Sequence, residues 1–600
     1  MSQSIAEEYA SRQAAAEKSR EQFHKLWSQF GNFRLVAAIV TIIGLWQEWQ
    51  DSGAIWQIMI VFGGFAFLGL ALQQRQMGLR RDLFASMEEV NRRSLARFNH
   101  DWDEVSLPPD TEVSPEHPYA RDLNIVGRAS IAQRTGTPVT EHGWNALYKA
   151  LLTDQELSNL PERQMAILEL SSELDLRQNV EAVGTSNEGV PHSQPLVEWA
   201  SGTDWLRPRL WMRWLGIIGP ILVLAAIVLV AVTDLPWGIV LLPMLFNLVI
   251  FSLLARPAAD AVQSVVPMRE AVGSSRRIMA LMARKPANSA YLRELDANLD
   301  GAAQAMGRLG SIVNFSIPPG SMLYFPLQML LMWDVNVLNR LEAWRGEHGD
   351  QVAAWLDAMG EWESLAALSV LTHDHPDWAM ADIKPDAEHL LAKHMAHPLL
   401  AENIAVANDV AIGPRGRFLF VTGSNMSGKS TLLRAIGTNA VLAQAGASVC
   451  AQTFVIPPLR IASCMRVEDS LAHGVSFFMA ELLRLKSVID LIEQDDDRMA
   501  LFLLDEILQG TNTAERQIAS RHILQQLGGM NAIGAVSSHD LELIEGTDLE
   551  QIAIPAHFAE QFTRVNGEPD MTFDYQLRPG IATSSNAIRL MELIGFQIHE

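Results

Sequence analysis

Cysteine is nearly missing from this chain, with two residues, Cys450 and Cys464, in 600. Two thiols cannot build a disulfide framework, and no Cys/His spacing matches a zinc site. They read as two reduced core thiols in a cytosolic domain. Positive charge is scarce as well: 46 Lys and Arg stand against 69 Asp and Glu, for a net charge of -23. Broad engagement of duplex DNA calls for a basic surface, so any basic patch here is local. The apolar stretch that opens a cleavable signal peptide is lacking too. The first 34 residues are polar and charged and read as a helix on the cytosolic side. There is no internal repeat and no long low-complexity tract.

Apolar residues are plentiful, at 48% of the chain. Mean hydropathy is slightly positive, which is high for a soluble protein of this size and places the excess in membrane segments. A chain of 600 residues exceeds one core, so two to four domains are expected.

Two pairs of apolar runs stand out. In the first, 35–46 is short for a span and reaches length only with Trp49 at the interface, whereas 54–72 is long enough. In the second, 214–232 carries no charge, and 235–255 is interrupted only by Pro236, Pro243 and Asn247. Each central Leu, Ile or Val favours insertion by roughly 0.3–0.6 kcal/mol, so the run from Trp214 should insert. Lys18, Arg20, Lys25 and Arg34 precede the first pair, and Arg75, Arg80 and Arg81 follow it. Arg207, Arg209 and Arg213 precede the second, and Arg256 follows. The connections inside the pairs carry Glu48, Asp51 and Asp234 but no Lys or Arg. This asymmetry predicts two transmembrane hairpins that turn outside, with everything large in the cytoplasm beneath the cytoplasmic membrane. A fifth apolar run, 315–333, contains Pro318, Pro319 and Pro326 and reads as a buried or lever-like segment of the cytosolic part.

From about residue 415, short strand-like runs alternate with helices, the pattern of an α/β layer domain. Within it, Gly423-Ser424-Asn425-Met426-Ser427-Gly428-Lys429-Ser430-Thr431 fits G-x-x-x-x-G-K-[ST], between an apolar strand and a helix. The glycines let backbone N–H groups turn toward phosphate oxygens, Lys429 should reach the β- and γ-phosphates, and the Ser430 hydroxyl should ligate Mg²⁺. A second apolar strand ends in Asp505-Glu506. There Asp505 suits Mg²⁺, held through water, and Glu506 suits the water that attacks the phosphate. A third strand ends in Ser537-Ser538-His539, where His539 can sense a γ-phosphate by hydrogen bond.

These motifs resemble the MutS family. Residues 422–431 are close to its T-G-P-N-M-x-G-K-S-T, and the Asn425-Met426 pair is more specific than a generic phosphate loop. Asp505-Glu506 with Gly510-Thr511 resembles D-E-x-x-x-G-T, and Ser538-His539 stands where the family has T-H. Asp469-Ser470-Leu471 and Gly474-Val475-Ser476-Phe477 resemble D-x-L…G-x-S-x-F. Phe573-Asp574-Tyr575, Pro579-Gly580 and His397-Pro398 also fit. The resemblance implies an ABC-like ATPase using ATP and Mg²⁺, working as a homodimer with composite sites in which Ser476 acts on the partner's γ-phosphate. It also implies DNA as a partner. The family's N-terminal mismatch-reading module has no counterpart, and Phe558-Ala559-Glu560 carries its F-x-E letters by chance. Where relatives place an aromatic against adenine there is Ala405, which leaves Ile404 or Val406 to hold the base.

The expected plan is an ABC-like α/β P-loop NTPase domain behind a mainly α-helical core, with two transmembrane helical hairpins. Its parts are a cytosolic helix (1–34), hairpin one (35–73), a cytosolic linker (74–119), the first part of a MutS-like helical core (120–213), hairpin two (214–255), the second part of the core or lever (256–390) and the ATPase domain (391–600). Three functions compete: an ATP-driven clamp on DNA at the membrane, a membrane ATPase that remodels a protein or membrane partner, and an ABC-type transporter. The last ranks lowest, because no L-S-G-G-Q stretch is present.

Overall fold

The computed structural model describes residues 2–581, apart from 110–112, 115, 154–156, 186–191, 319, 425, 466–476, 495–496, 509–512 and 566–567. The chain opens with two very long antiparallel helices, α1 (Ser2–Gln50) and α2 (Ala54–Asn99). At 1.5 Å per residue, α1 is about 73 Å long, more than twice a hydrocarbon core. The sequence explains where they cross closely. Gly63 faces Thr41, and a Cβ there would sit 2.5 Å from the Thr41 hydroxyl; small residues of this kind let helix backbones approach. At the tip, Glu48 accepts from the Gly53 N–H (3.1 Å) and from Gln57 (2.9 Å), closing the turn. Nearer the base, Phe23 stacks on Phe84 and Arg20 pairs with Glu88.

The residues read as a linker from 74 are therefore helical as far as Asn99. Residues 74–99 continue with good helix formers and Glu/Arg pairs three and four apart, Arg92 and Arg93 with Glu89. The base of the pair docks on α3 (Leu174–Thr185). Arg12 pairs with Asp175 (2.6 Å), Gln178 donates to Asn91 (2.8 Å), and buried Arg97 meets Glu181 (3.3 Å).

Two more apolar helices follow, α4 (Leu210–Val232) and α5 (Leu241–Gln263), the latter entered through a short 3-10 turn at Trp237–Val240. Among the described residues three helices are long and apolar enough to cross a membrane: those of the first pair and α4. The apolar part of the fourth, Trp237–Ser252, is shorter. Residues 315–333, read as a buried or lever-like segment, are buried on one side only. They contain α6 (Tyr324–Leu331), which leads into α7 (Trp333–His348), and α6 packs against α4 and α5 with one face bare: Phe325 is 59% exposed, and Met322, just ahead of the helix, 94%. Of the prolines on which that reading rested, Pro318 lies ahead of α6 and Pro326 is exposed within it. The helical core is organised on the almost wholly buried α8 (Val352–Asp374).

The C-terminal domain is built on a six-stranded sheet: β1 (Phe418–Thr422), β2 (Leu459–Cys464), β3 (Met499–Asp505), β4 (Ala532–Ser537), β5 (Ala553–Val565) and β6 (Glu568–Pro579). Their spatial order is β6-β5-β1-β4-β3-β2, parallel except for the β5–β6 pair. Strands β1, β3 and β4 are buried on both faces, which explains their unbroken apolar runs. A second sheet joins Asp382–Ile383, Thr453–Ile456, Leu390–Met395 and Asn408–Ile412, so this domain takes in chain ahead of the boundary expected at 391.

Candidate nucleotide site

The C-terminal ends of β1, β3 and β4 lie side by side, with Ser537 opposite both Val421 and Asp505. In a parallel sheet this edge is where ligands bind. The loop after β1 turns on Gly423 (φ 143°) and Gly428 (φ 102°), and the latter starts helix α9 (Lys429–Gln444). A side chain at 428 would meet the Tyr575 ring at 3.2 Å, so glycine is needed both for the left-handed backbone and for space.

Lys429 is buried, and its ammonium donates to the carbonyls of Gly423 and Ser424, each at 2.9 Å. Its Nζ lies 3.4 Å from Glu506 Oε1. Burial pushes its pKa below the ordinary lysine value, an effect the Glu506 carboxylate opposes. Glu506, with φ 50°, is in the left-handed region, and its N–H donates to Ser537 O (3.1 Å), which turns its side chain back over the sheet edge. The carboxylate reaches His539, with Oε1 to Nε2 at 2.5 Å. His539 Nδ1 is 2.9 Å from Gly423 O and 3.4 Å from Lys429 Nζ. Asp505 accepts from the Ser537 hydroxyl.

A cavity of about 370 Å³ opens beside this cluster, lined among others by His397, Met426, Ser430, Thr431, Glu506 and Tyr575. The structure thus brings together Gly423, Met426, Gly428, Lys429, Ser430, Thr431, Asp505, Glu506 and His539. Asn425 and Ser476 lie outside the described residues. Ile404 and Val406, expected to hold a base, do line the cavity. Phe558 lines it too, buried on β5. His397 is pushed down to about 4 by burial, with Arg434 and Arg134 adding to the effect.

Sequence reasoning missed Tyr575. Asn408 holds it in place by donating to Tyr575 O (3.0 Å) and accepting from Leu577 N (2.7 Å). With φ 53° the ring turns to the phosphate loop. An aromatic in the stretch that carries the family resemblance was the available signal, but no local pattern aims it.

Residues 419–599 match the family model described as MutS domain V. The chain is 32% identical over 217 residues to DNA mismatch repair protein MSH6 of Arabidopsis thaliana, covering 34% of this chain and 16% of that protein. It is 28% identical over 255 residues to DNA mismatch repair protein MutS 2 of Halobacterium salinarum, covering 42% and 28%. For DNA mismatch repair protein MSH2 of Saccharomyces cerevisiae the values are 26% over 254 residues, covering 41% and 26%. The match spans less than a third of each of these relatives. Over the domain that forms this site, residues 419–599, the chain matches MutS domain V and is similar to MutS-family proteins.

Proposed function

We propose that the chain is a membrane-anchored ATPase that acts on DNA as an ATP-driven dimeric clamp. The observation that supports it best is the Lys429–Glu506–His539 cluster at the sheet edge, beside a cavity of about 370 Å³, within the usual size for a small-molecule site. The site fits a magnesium nucleotide: a buried lysine faces a glycine turn, and the Ser430 and Asp505 oxygens suit a hard cation. ATP, when bound, supplies the phosphoryl group that is transferred to water.

The chain's own residues do the rest. Lys429 holds phosphate charge at the start of α9, whose N–H groups point the same way. Glu506 accepts the proton of a water, and His539, anchored on Gly423 O, fixes the carboxylate's position. Tyr575 flanks the loop with an aromatic face suited to a base. Ser476 completes the partner's site across the dimer. The names of the relatives support DNA as the partner. The apolar, barely buried surfaces of α1, α2 and α4 support the anchor.

The test is ATP hydrolysis by detergent-purified protein with and without duplex, mismatched and branched DNA, with Lys429→Ala as blank. DNA stimulation that vanishes in the blank supports the clamp. Turnover indifferent to every DNA moves the reading to an ATPase that remodels a protein or membrane partner. That second reading is favoured by the net charge of -23 and by the course of α2. This helix runs unbroken from the apolar tip to Asn99, where Phe98 stacks on His375 and His375 meets Glu402, beside the loop that lines the cavity.

A further inference from the structure

Between Arg308 and Asp334 the chain carries no charged residue. This stretch leads through α6 into α7 against the second apolar pair, and the contacts set its depth. Asn336 donates to Gly216 O on α4 (2.9 Å). A Cβ on Gly219 would come 2.8 Å from the Met332 sulfur. Leu330 packs on the cluster of Val223, Val230 and Val240. On α5, Asn247 donates to Met329 O (2.9 Å), and Phe251, one turn further on, packs edge-on to Tyr324. Along α4, Gly216, Gly219 and Val223 lie about 5, 9 and 15 Å beyond Arg213. The chain therefore runs inward along α6, is deepest near Leu330, reverses at Met332 and returns through Asn336.

We infer that α6 and the start of α7 form a re-entrant membrane element, dipping from the cytoplasmic side to about the middle of the bilayer, with the exposed face of 322–325 against lipid. The inference rests on the proposed reading that α4 and α5 span a bilayer with Arg213 at the cytoplasmic face.

Two observations carry it beyond proximity. First, the chain breaks its helix at depth, where Met332 is left-handed (φ 45°) and fully buried. Backbone groups freed at such a depth must be satisfied by protein, and three of them here meet side chains. Asn247 covers Met329 O, and Asn336 covers Leu331 O (2.9 Å). Gln328 accepts from Asp334 N (3.1 Å). The lone Asn in the apolar run of α5 and the fully buried Gln328 thereby gain a purpose. Second, the opposite face is apolar and bare: Met322 is 94%, Leu323 62% and Phe325 59% exposed. Burying such side chains in hydrocarbon favours the dipped position. A lipid bilayer is the occupant, because the bare face adjoins the apolar surface of α4 and α5 and carries no charge that would select a protein.

The test uses single cysteines at Met322 and Phe325, with one at the exposed Leu224 of α4 as reference, in full-length protein in vesicles. Each carries an environment-sensitive fluorophore. Wild type taken through the same labelling is the blank for Cys450 and Cys464, and nucleotide binding shows that each variant is folded. Quenching by nitroxide lipids and by aqueous iodide is compared. The expected result is lipid quenching at 224, 322 and 325, each several-fold stronger than iodide quenching. Lipid quenching at 224 with iodide quenching at 322 and 325 overturns the re-entrant element and leaves the anchor standing. Protection of 322 and 325 from both quenchers, which a protein partner would give, overturns it as well. Iodide quenching at 224 defeats the membrane reading itself, and the inference with it.

Discussion

The Tyr9 hydroxyl donates to Asp374 Oδ1 at 2.7 Å, joining the first helix of the chain to the last turn of α8. Both side chains are buried. Burial raises the Asp374 pKa, while the bond from Tyr9 opposes that rise. The contact ties the base of the long helical pair to the helical core, next to His375 and its partner Glu402.

Tyr9→Phe removes the donor and leaves a buried carboxyl oxygen without it. A loss of about 1–3 kcal/mol is expected, read as a lower melting temperature in detergent and faster proteolysis at the base of α1. Unchanged values for both would show that the contact is not what holds the pair down.

Glu506→Gln keeps the shape of the side chain and removes the proton acceptor. Turnover should fall by about 10²–10⁴-fold, with ATP affinity retained. Single-turnover hydrolysis alongside equilibrium nucleotide binding separates the two, and wild-type turnover would remove Glu506 from the role of base.

Tyr575→Ala should weaken ATP binding by roughly 1–3 kcal/mol, the usual worth of a base–aromatic contact, while Tyr575→Phe should keep it. The direct measurement is nucleotide affinity by titration. Equal affinity in both variants would mean the ring does not touch the base and only fills space beside Gly428.

Glu363 gives a pH signature. It accepts from Val139 N (2.8 Å) and from the Thr140 hydroxyl, yet burial outweighs these bonds and pushes its pKa up to about 7. The folded state then holds a proton that the unfolded chain has released. Stability is greatest below the unfolded value near 4.5 and falls as pH rises through about 7. The loss is on the order of 3 kcal/mol. Thermal unfolding at pH 5.5 and pH 8 should show a larger drop for wild type than for Glu363→Gln, and equal drops would show that the group does not titrate in this window.

Much of the candidate site was legible because its residues sit at the ends of short, continuous motifs. The phosphate loop, Asp505-Glu506 and Ser538-His539 each follow an apolar strand, and strands buried on both faces announce themselves by composition. Tyr575 was not legible in that way. Its position depends on Asn408, far away in sequence, and on a backbone torsion that no pattern of side chains encodes. The length of α2 was not legible either, because hydropathy marks where a helix turns polar, which need not be where it stops.

By itself the sequence marked the candidate phosphate loop, the apolar strands that precede its motifs and the apolar runs, since each is written in neighbouring residues. The tertiary structure alone decided which distant groups meet: Glu506 with His539, Tyr9 with Asp374, Tyr575 with Gly428, and residues 315–333 with the second apolar pair. Such contacts arise from chain closure over hundreds of residues. Their selection rests on the burial of whole surfaces and the satisfaction of individual polar groups, and neither leaves a periodic trace along the chain.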